Sequence, residues 1–304
     1  VILHDGSTAE QRGYYVDTVL RSATELLGVS SEELLTGGYR IYSALDPALQ
    51  SRCEEIFADD EYFPEGAQAA IVVQEAGTGL VRALVGGRGA YETAMAFNRA
   101  TDIRRQPGSL IKPIIAYAPA LESHGYTAAS LLLDEPTSFA DYTPSNYGSK
   151  YYGWVTLREA VTRSLNVPAV KVLSEIGLAD GKAFAQSCGV AFDQSDTSLT
   201  LALGGFTYGV SPWQMAGAYA AFASGGVYNS PTVIQKITDG SGTILYQYQG
   251  ENRRVLSEQN AYILTSMLQS AIEEGTGHRL GQLDIPLAGK TGTAEHQYSG
   301  RKNP

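Results

Sequence analysis

The run AAIVVQEAGTGLVRALVGG (Ala69–Gly87) constrains the fold more than any other stretch of the chain. Two β-rich segments flank Gly77-Thr78-Gly79, which reads as a hairpin around a glycine turn. A second pair of such segments, TVIQKIT and TILYQYQ, lies much later around DGSG. GYRIYSAL (Gly38–Leu45) alternates as a strand. From Ser109 to about Phe222 the chain reads as mostly helical. IPLAGKTGTAEH, near the end, reads as an apolar strand with a glycine inside it. Strands towards both ends and helices between them predict an α+β fold, an antiparallel sheet packed against a helical cluster.

Three helices are sharply bounded. YYVDTVLRSATELLG (Tyr14–Gly28) has helical periodicity and a glycine stop. In DPALQSRCEEIFADD, Asp46 is the expected N-cap and Pro47 the first helical residue. SEQNAYILTSMLQSAIEEG is strongly amphipathic. Residues 1–65 read as a linker or small subdomain, and 66–304 as the main domain.

Composition narrows the function classes. The 304 residues carry 32 acids against 22 bases, a formal charge of −10. That balance argues against a nucleic-acid partner, which needs a basic face. Cys53 and Cys188 are too few for a disulfide framework, and no metal-ligand spacing is present. His4, His124, His278 and His296 form no triad or metal pattern. His124 reads as a neighbour of a helix C-terminus, while His296 is a weak candidate for lining a cleft. The 19 tyrosines, many in loops such as DYTPSNYGSKYYGW, fit either plain surface or a long substrate cleft. No apolar run reaches the roughly 18 residues a membrane span needs. Residue 1 is Val rather than Met, so a membrane anchor further upstream stays open.

Chemistry enters at RRQPGSLIKPIIAY (Arg104–Tyr117). Ser109 opens a helix beside a stripe of leucine and isoleucine, and Lys112, three residues on, shares its face. A serine hydroxyl needs a base to become a nucleophile. A lysine serves only if its amine is neutral, which burial and nearby positive charge both favour. Taken alone, the spacing is weak. Two further motifs strengthen it: Ser164-Leu165-Asn166 at a helix end and loop, and Lys290-Thr291-Gly292-Thr293 in the terminal strand. Gaps of about 55 and about 125 residues suit one domain. Each motif has a bland reading. Ser164 and Asn166 can be a helix cap pair, and the Lys290 segment an edge strand guarded by a lysine.

The trio resembles the motif set of class A β-lactamases and penicillin-binding proteins. Leu165 stands where the β-lactamase pattern has aspartate; high-molecular-mass penicillin-binding proteins commonly carry leucine there. Longer stretches extend the likeness: FNRATDIRRQPGSLIKP, YTPSNYGSKYYGWVTLREAVTRSLNVPAV and ALGGFTYGVSPWQMAGAYAAFASGGVY. They resemble the transpeptidase domain of class A, bifunctional penicillin-binding proteins. YRIYSALDPALQ is similar to the segment that joins that domain to a glycosyltransferase domain, which the resemblance places upstream of these residues. The likeness runs from about residue 14 to about 295.

The resemblance implies a penicillin-binding-protein/β-lactamase-like fold and a D,D-transpeptidase that cross-links peptidoglycan stem peptides. Ser109 would attack the penultimate D-alanine, and Lys112 would take its proton. Ser164 would relay a proton to the leaving D-alanine. Asn166 would hold Lys112 and bond the substrate amide. Lys290 would supply positive charge for the substrate carboxylate, which Thr291 and Thr293 would also bind, and Gly292 would leave room for the substrate backbone. The N–H groups of Ser109 and Thr293 would form the oxyanion hole. β-Lactam antibiotics would acylate the same serine. The resemblance implies no cofactor or metal. It places the protein on the extracytoplasmic face of a bacterial membrane, anchored upstream and working with cell-wall synthesis machinery.

Family members continue past the Lys290 strand with two more strands and a helix. The resemblance therefore implies a C-terminally incomplete domain, and a 304-residue chain that folds poorly or is inactive. A D,D-carboxypeptidase or β-lactamase would need a base for water, and no such carboxylate is evident. A penicillin-binding sensor or scaffold is the alternative from a different class.

Overall fold

The computed structural model describes residues 13–294 apart from 90, 92 and 141. The described chain forms two compact units. The first contains residues up to 103 together with 211–220 and 229–252; the second contains 104–210, 221–228 and 253 onward.

In the first unit the expected hairpin forms between Ile71–Gln74 and Val81–Val85. Arg40–Ser43 pairs antiparallel with Ile234–Thr238, which pairs with Ile244–Gln247 around the DGSG turn. The Val81 N–H donates to Thr232 O, and a parallel bridge joins Leu80 to Thr232, so the hairpin adjoins the three-stranded sheet. Tyr14–Leu27 is helical, and Gly28 closes it in the left-handed region at φ 66°. Tyr15, Leu20 and Ala23 of this helix pack on Val81, Leu84, Val233, Ile234 and Ile237. Pro47–Ala58 is the predicted capped helix, with Asp46 Oδ1 accepting from the N–H groups of Ala48 and Leu49. Its Cys53 and Phe57 pack on Ala83 and Val85. Hairpin residues thus contribute to two apolar clusters, which explains why both strands read as β-rich rather than alternating. The packing does not break at residue 66, because elements before it pair with and cover strands that follow it.

The second unit is mainly helical, as expected, but it also contains an unpredicted strand pair, Leu131–Asp134 with Gly153–Thr156. The two runs are four residues each and stand 18 residues apart, so neither length nor a tight turn marks them. Ser109 does not open a regular α-helix. Residues 108–123 change pitch instead: a 3₁₀ turn over Gly108–Ile111, a π-helical turn over Pro113–Tyr117, then an α-helix over Ala118–Ser123. Pro113 lacks the N–H that would reach back to Ser109. The Lys112 N–H takes Ser109 O, and the Ala118 N–H then reaches Pro113 O. Such π-turns concentrate at functional sites. The π-turn packs on the helices Asn166–Ile176 and Leu178–Ser187. The helix Leu157–Thr162 starts on a capping box of Thr156 and Glu159 and packs on Glu258–Glu273.

The strand expected over IPLAGKTGTAEH is not found: residues 285–294 form no ladder. A strand needs a neighbour to exchange backbone hydrogen bonds with, and none runs beside this segment among the described residues. It is held instead by the Gly289 N–H on Leu268 O and by side-chain contacts described below. His4 and His296 lie outside the described residues. His124 does end a helix, as its C-cap, and its Nε2 lies 3.1 Å from Asp180 Oδ2.

Candidate active site

All eight residues singled out by the motifs lie in the second unit. Lys112 is completely buried. Its Nζ donates to Ser164 O (2.7 Å), Leu165 O (3.1 Å) and Asn166 Oδ1 (2.6 Å), with Ser164 Oγ at 3.5 Å. Burial, and then the positive charge of Lys290, hold its pKa well below the ordinary lysine value. The acceptor oxygens pull the other way, because hydrogen bonds to an ammonium favour the charged form.

The Ser164 turn explains why two carbonyls converge on the amine. Leu157–Thr162 ends with Arg163 as C-cap and Ser164 beyond it in the left-handed region, φ 56°. The Ser164 N–H bonds Val161 O and the Leu165 N–H bonds Ala160 O. This is a Schellman closure with serine where glycine usually stands. The reversal aims the Ser164 and Leu165 carbonyls at Lys112. Asn166 then starts the next helix. The bland reading of Ser164 as a cap residue is therefore correct as geometry, and the same turn also presents its hydroxyl to two lysines.

Lys290 Nζ donates to Ser164 Oγ at 2.6 Å and to Thr291 O at 2.9 Å. Burial lowers its pKa to about 8. Thr291 Oγ1 lies 2.6 Å from Thr276 Oγ1. Gly292 and Thr293 pack against the turn that carries Ser109. A side chain on Gly108 would collide with the Thr293 backbone, and one on Gly292 would lie 2.6 Å from Leu110 Cγ and 2.7 Å from Pro107 O. Gly292 is thus needed for the chain's own close approach, a requirement the motif alone does not reveal. Ser109 is partly exposed. Its Oγ makes no hydrogen bond among the described residues, and Lys112 faces Ser164 and Asn166 rather than the hydroxyl. Catalytic hydrogen bonds often tighten only in the substrate complex. Ser109 is the second residue of its turn, where N–H groups lack an intrahelical acceptor.

The motifs leave several contributors unmarked. Ser145 O accepts from Asn166 Nδ2 (2.7 Å), Asn146 Oδ1 from the Asn166 N–H (2.8 Å), and Thr276 meets Thr291. The only hint of the first two is their place in the tyrosine-rich loop. Among the described residues no carboxylate bonds Lys112, Ser164, Asn166 or Lys290, and no cluster of three or more His, Cys, Asp or Glu could hold a metal. No described helix is long and apolar enough to cross a membrane.

Known proteins resemble this chain in family, sequence and fold. The family described as the penicillin binding protein transpeptidase domain matches residues 69–304. Penicillin-binding protein 1F of Bacillus subtilis is 40% identical over 285 residues, covering 93% of this chain and 39% of that protein. The crystal structure of penicillin-binding protein 1A from Haemophilus influenzae is 31% identical, with a TM-score of 0.65 over 74% of this chain and 39% of that one. The PonA1 protein of Mycobacterium tuberculosis, in complex with penicillin V, shares the fold at 23% identity. Its TM-score is 0.80 over 95% of this chain and 78% of that one. The chain spans about a third to two-fifths of the length of the curated relatives it matches.

Proposed function

We propose that this chain, which belongs to the penicillin-binding-protein transpeptidase family, is a serine D,D-transpeptidase that cross-links peptidoglycan stem peptides through an acyl-Ser109 intermediate. One observation carries the reading. A fully buried lysine sits one turn from Ser109, is tied to Ser164 and Asn166, and has a second lysine on the far side of the Ser164 hydroxyl.

Ser109 Oγ attacks the carbonyl of the penultimate D-alanine, and Lys112, neutral and so released from one of its three acceptors, turns its lone pair to the hydroxyl and takes the proton. The N–H groups of Ser109 and Thr293 receive the developing oxyanion. Ser164 passes its own proton to the amine of the leaving D-alanine and takes the Ser109 proton back from Lys112, whose Nζ lies 3.5 Å from Ser164 Oγ, while Lys290 holds that oxygen by a hydrogen bond. Lys290, Thr291 and Thr293 bind the terminal carboxylate. Asn166 holds Lys112 and bonds the substrate amide. An amine of a neighbouring stem peptide then takes the acyl group. A β-lactam acylates the same serine, but its amine stays tethered after ring opening.

Within this reading residues 66–304 carry the transpeptidase, and the preceding residues, a linker by sequence, are packed onto strands of that domain. The reaction belongs outside the cytoplasmic membrane, where its substrate lies, and next to cell-wall synthesis enzymes. The test is turnover of a peptide ending in D-Ala-D-Ala with an amine acceptor. Release of D-alanine together with a peptide–amine product is expected. Release without that product indicates a carboxypeptidase. Acylation by penicillin with no turnover indicates a sensor.

A further inference from the structure

Asn166 has to present Oδ1, not Nδ2, to Lys112, and nothing in its own motif ensures that. The ordering groups come from 20 residues upstream. Ser145 O takes Asn166 Nδ2, which leaves Oδ1 for the lysine. Asn146, 5% exposed, accepts on Oδ1 from the N–H groups of Asn166 (2.8 Å) and Val167 (3.2 Å). These are the first two amides of the Asn166–Ile176 helix, whose own N-cap, Leu165, has no side-chain acceptor. Asn146 therefore caps that helix from outside, a task usually done by the residue at the N-cap itself.

The other end of the Asn146 amide is equally committed. Nδ2 lies 2.8 and 2.9 Å from the two oxygens of Asp134 and 2.9 Å from Lys150 O. Asp134 is 1% exposed and also accepts from the Tyr152 N–H. A buried carboxylate tolerates only donors, and two helix amides require an acceptor. The Asn146 amide thus has one allowed orientation, and reversing it would leave both sides unsatisfied.

We propose that Asn146, anchored by Asp134, is a positioning residue that aims the Asn166 side chain at Lys112. The inference rests on the acyl-Ser109 reading above. Its measurement is the acylation rate with a fluorescent penicillin, accompanied by thermal melts. Asn146→Ala is expected to slow acylation by about 10- to 100-fold, the scale of a misplaced catalytic group. In an Asn166→Ala background the same change is expected to add less than about twofold, because a residue acting through Asn166 has nothing left to act on. Asn146→Asp sets two carboxylates against each other and is expected to be slower still. The exchanged pair, Asp134→Asn with Asn146→Asp, restores donor to acceptor between these two side chains but leaves Lys150 O without its donor, and is expected to acylate at least about tenfold faster than Asn146→Asp alone.

Wild-type rates in Asn146→Ala overturn the proposal, as do losses that multiply with Asn166→Ala. If Asn146→Ala loses its cooperative melt, the exchanged pair decides: a cooperative melt with acylation faster than in Asn146→Asp alone supports the proposal, and any other result overturns it. A wild-type protein that melts cooperatively yet is not acylated by penicillin defeats the acyl-serine reading itself, a result distinct from all of these.

Discussion

Lys112 and Lys290 are both lysines pushed towards neutrality, but the chemistry asks opposite things of them. Lys112 has to be neutral to take a proton, and Lys290 charged to attract a carboxylate. Burial is the leading cause for each, and the Lys290 charge adds to it at Lys112. Lys290 loses its proton through about 8. Penicillin acylation is therefore expected to fall as pH rises past that value. Lys290→Arg, which stays charged, is expected to remove this alkaline limb, as a pH profile of the acylation rate will read. Stability moves the other way. The unfolded chain holds the Lys290 proton up to the ordinary lysine value near 10.4, so the folded state binds fewer protons between about 8 and that value. Stability from this group rises with pH across the window, and denaturation midpoints of a Lys290→Met variant are expected to lose that slope.

Ser164 carries strain for the sake of its hydroxyl. The left-handed region costs a non-glycine residue roughly 1–2 kcal/mol, and glycine returns roughly 0.5–1 through the unfolded chain. Ser164→Gly should therefore exceed Ser164→Ala in stability by on the order of 0.5–1 kcal/mol, while both acylate slowly. Equal melts would show that the turn is not strained. The Ser109–Lys112 pairing is legible in the sequence because helical spacing sets residues three apart on one face. The Asn146 cap is not legible, since a loop that reaches a helix start 20 residues later leaves no periodic mark.

At the level of elements, the site depends on close backbone approach. Gly108 has φ 55° and backs onto Thr293, and a side chain at Gly204 would reach within 2.7 Å of Gly108 Cα. Gly108→Ala is expected to destabilise by about 1–3 kcal/mol, as overpacking does. It should also slow acylation, because Thr293 must move away from the Ser109 turn. A variant with unchanged melt and rate would contradict that packing. Capped helices and glycine-turn hairpins are readable because their chemistry is local: Asp46-Pro47 and Gly77-Thr78-Gly79 occupy the predicted places. The Leu131–Asp134 and Gly153–Thr156 pair is tertiary in origin and escapes such reading. The Lys290 segment errs the other way. Its apolar composition is strand-like, yet composition cannot supply a neighbour.

Across the whole molecule, the division of labour is clear. The candidate catalytic residues belong to the second unit, although their sequence positions span nearly two hundred residues, while the first unit contains the three-stranded sheet and the early hairpin. Acylation is therefore expected to raise hydrogen-exchange protection at 108–112, 164–167 and 289–294 and to leave 40–43 and 71–85 unchanged. Equal protection in both sets would contradict a site confined to one unit. The α+β class is readable from the order of periodicities. The two-unit partition is not, because the first unit gathers residues from three separate stretches of chain. The central claim, that Ser109 is the nucleophile, is tested most directly by intact mass and peptide mapping after exposure to a penicillin. The account predicts one stable adduct, mapped to Ser109 and absent from Ser109→Ala. An adduct that persists in that variant, or no adduct in a folded wild-type protein, would contradict it.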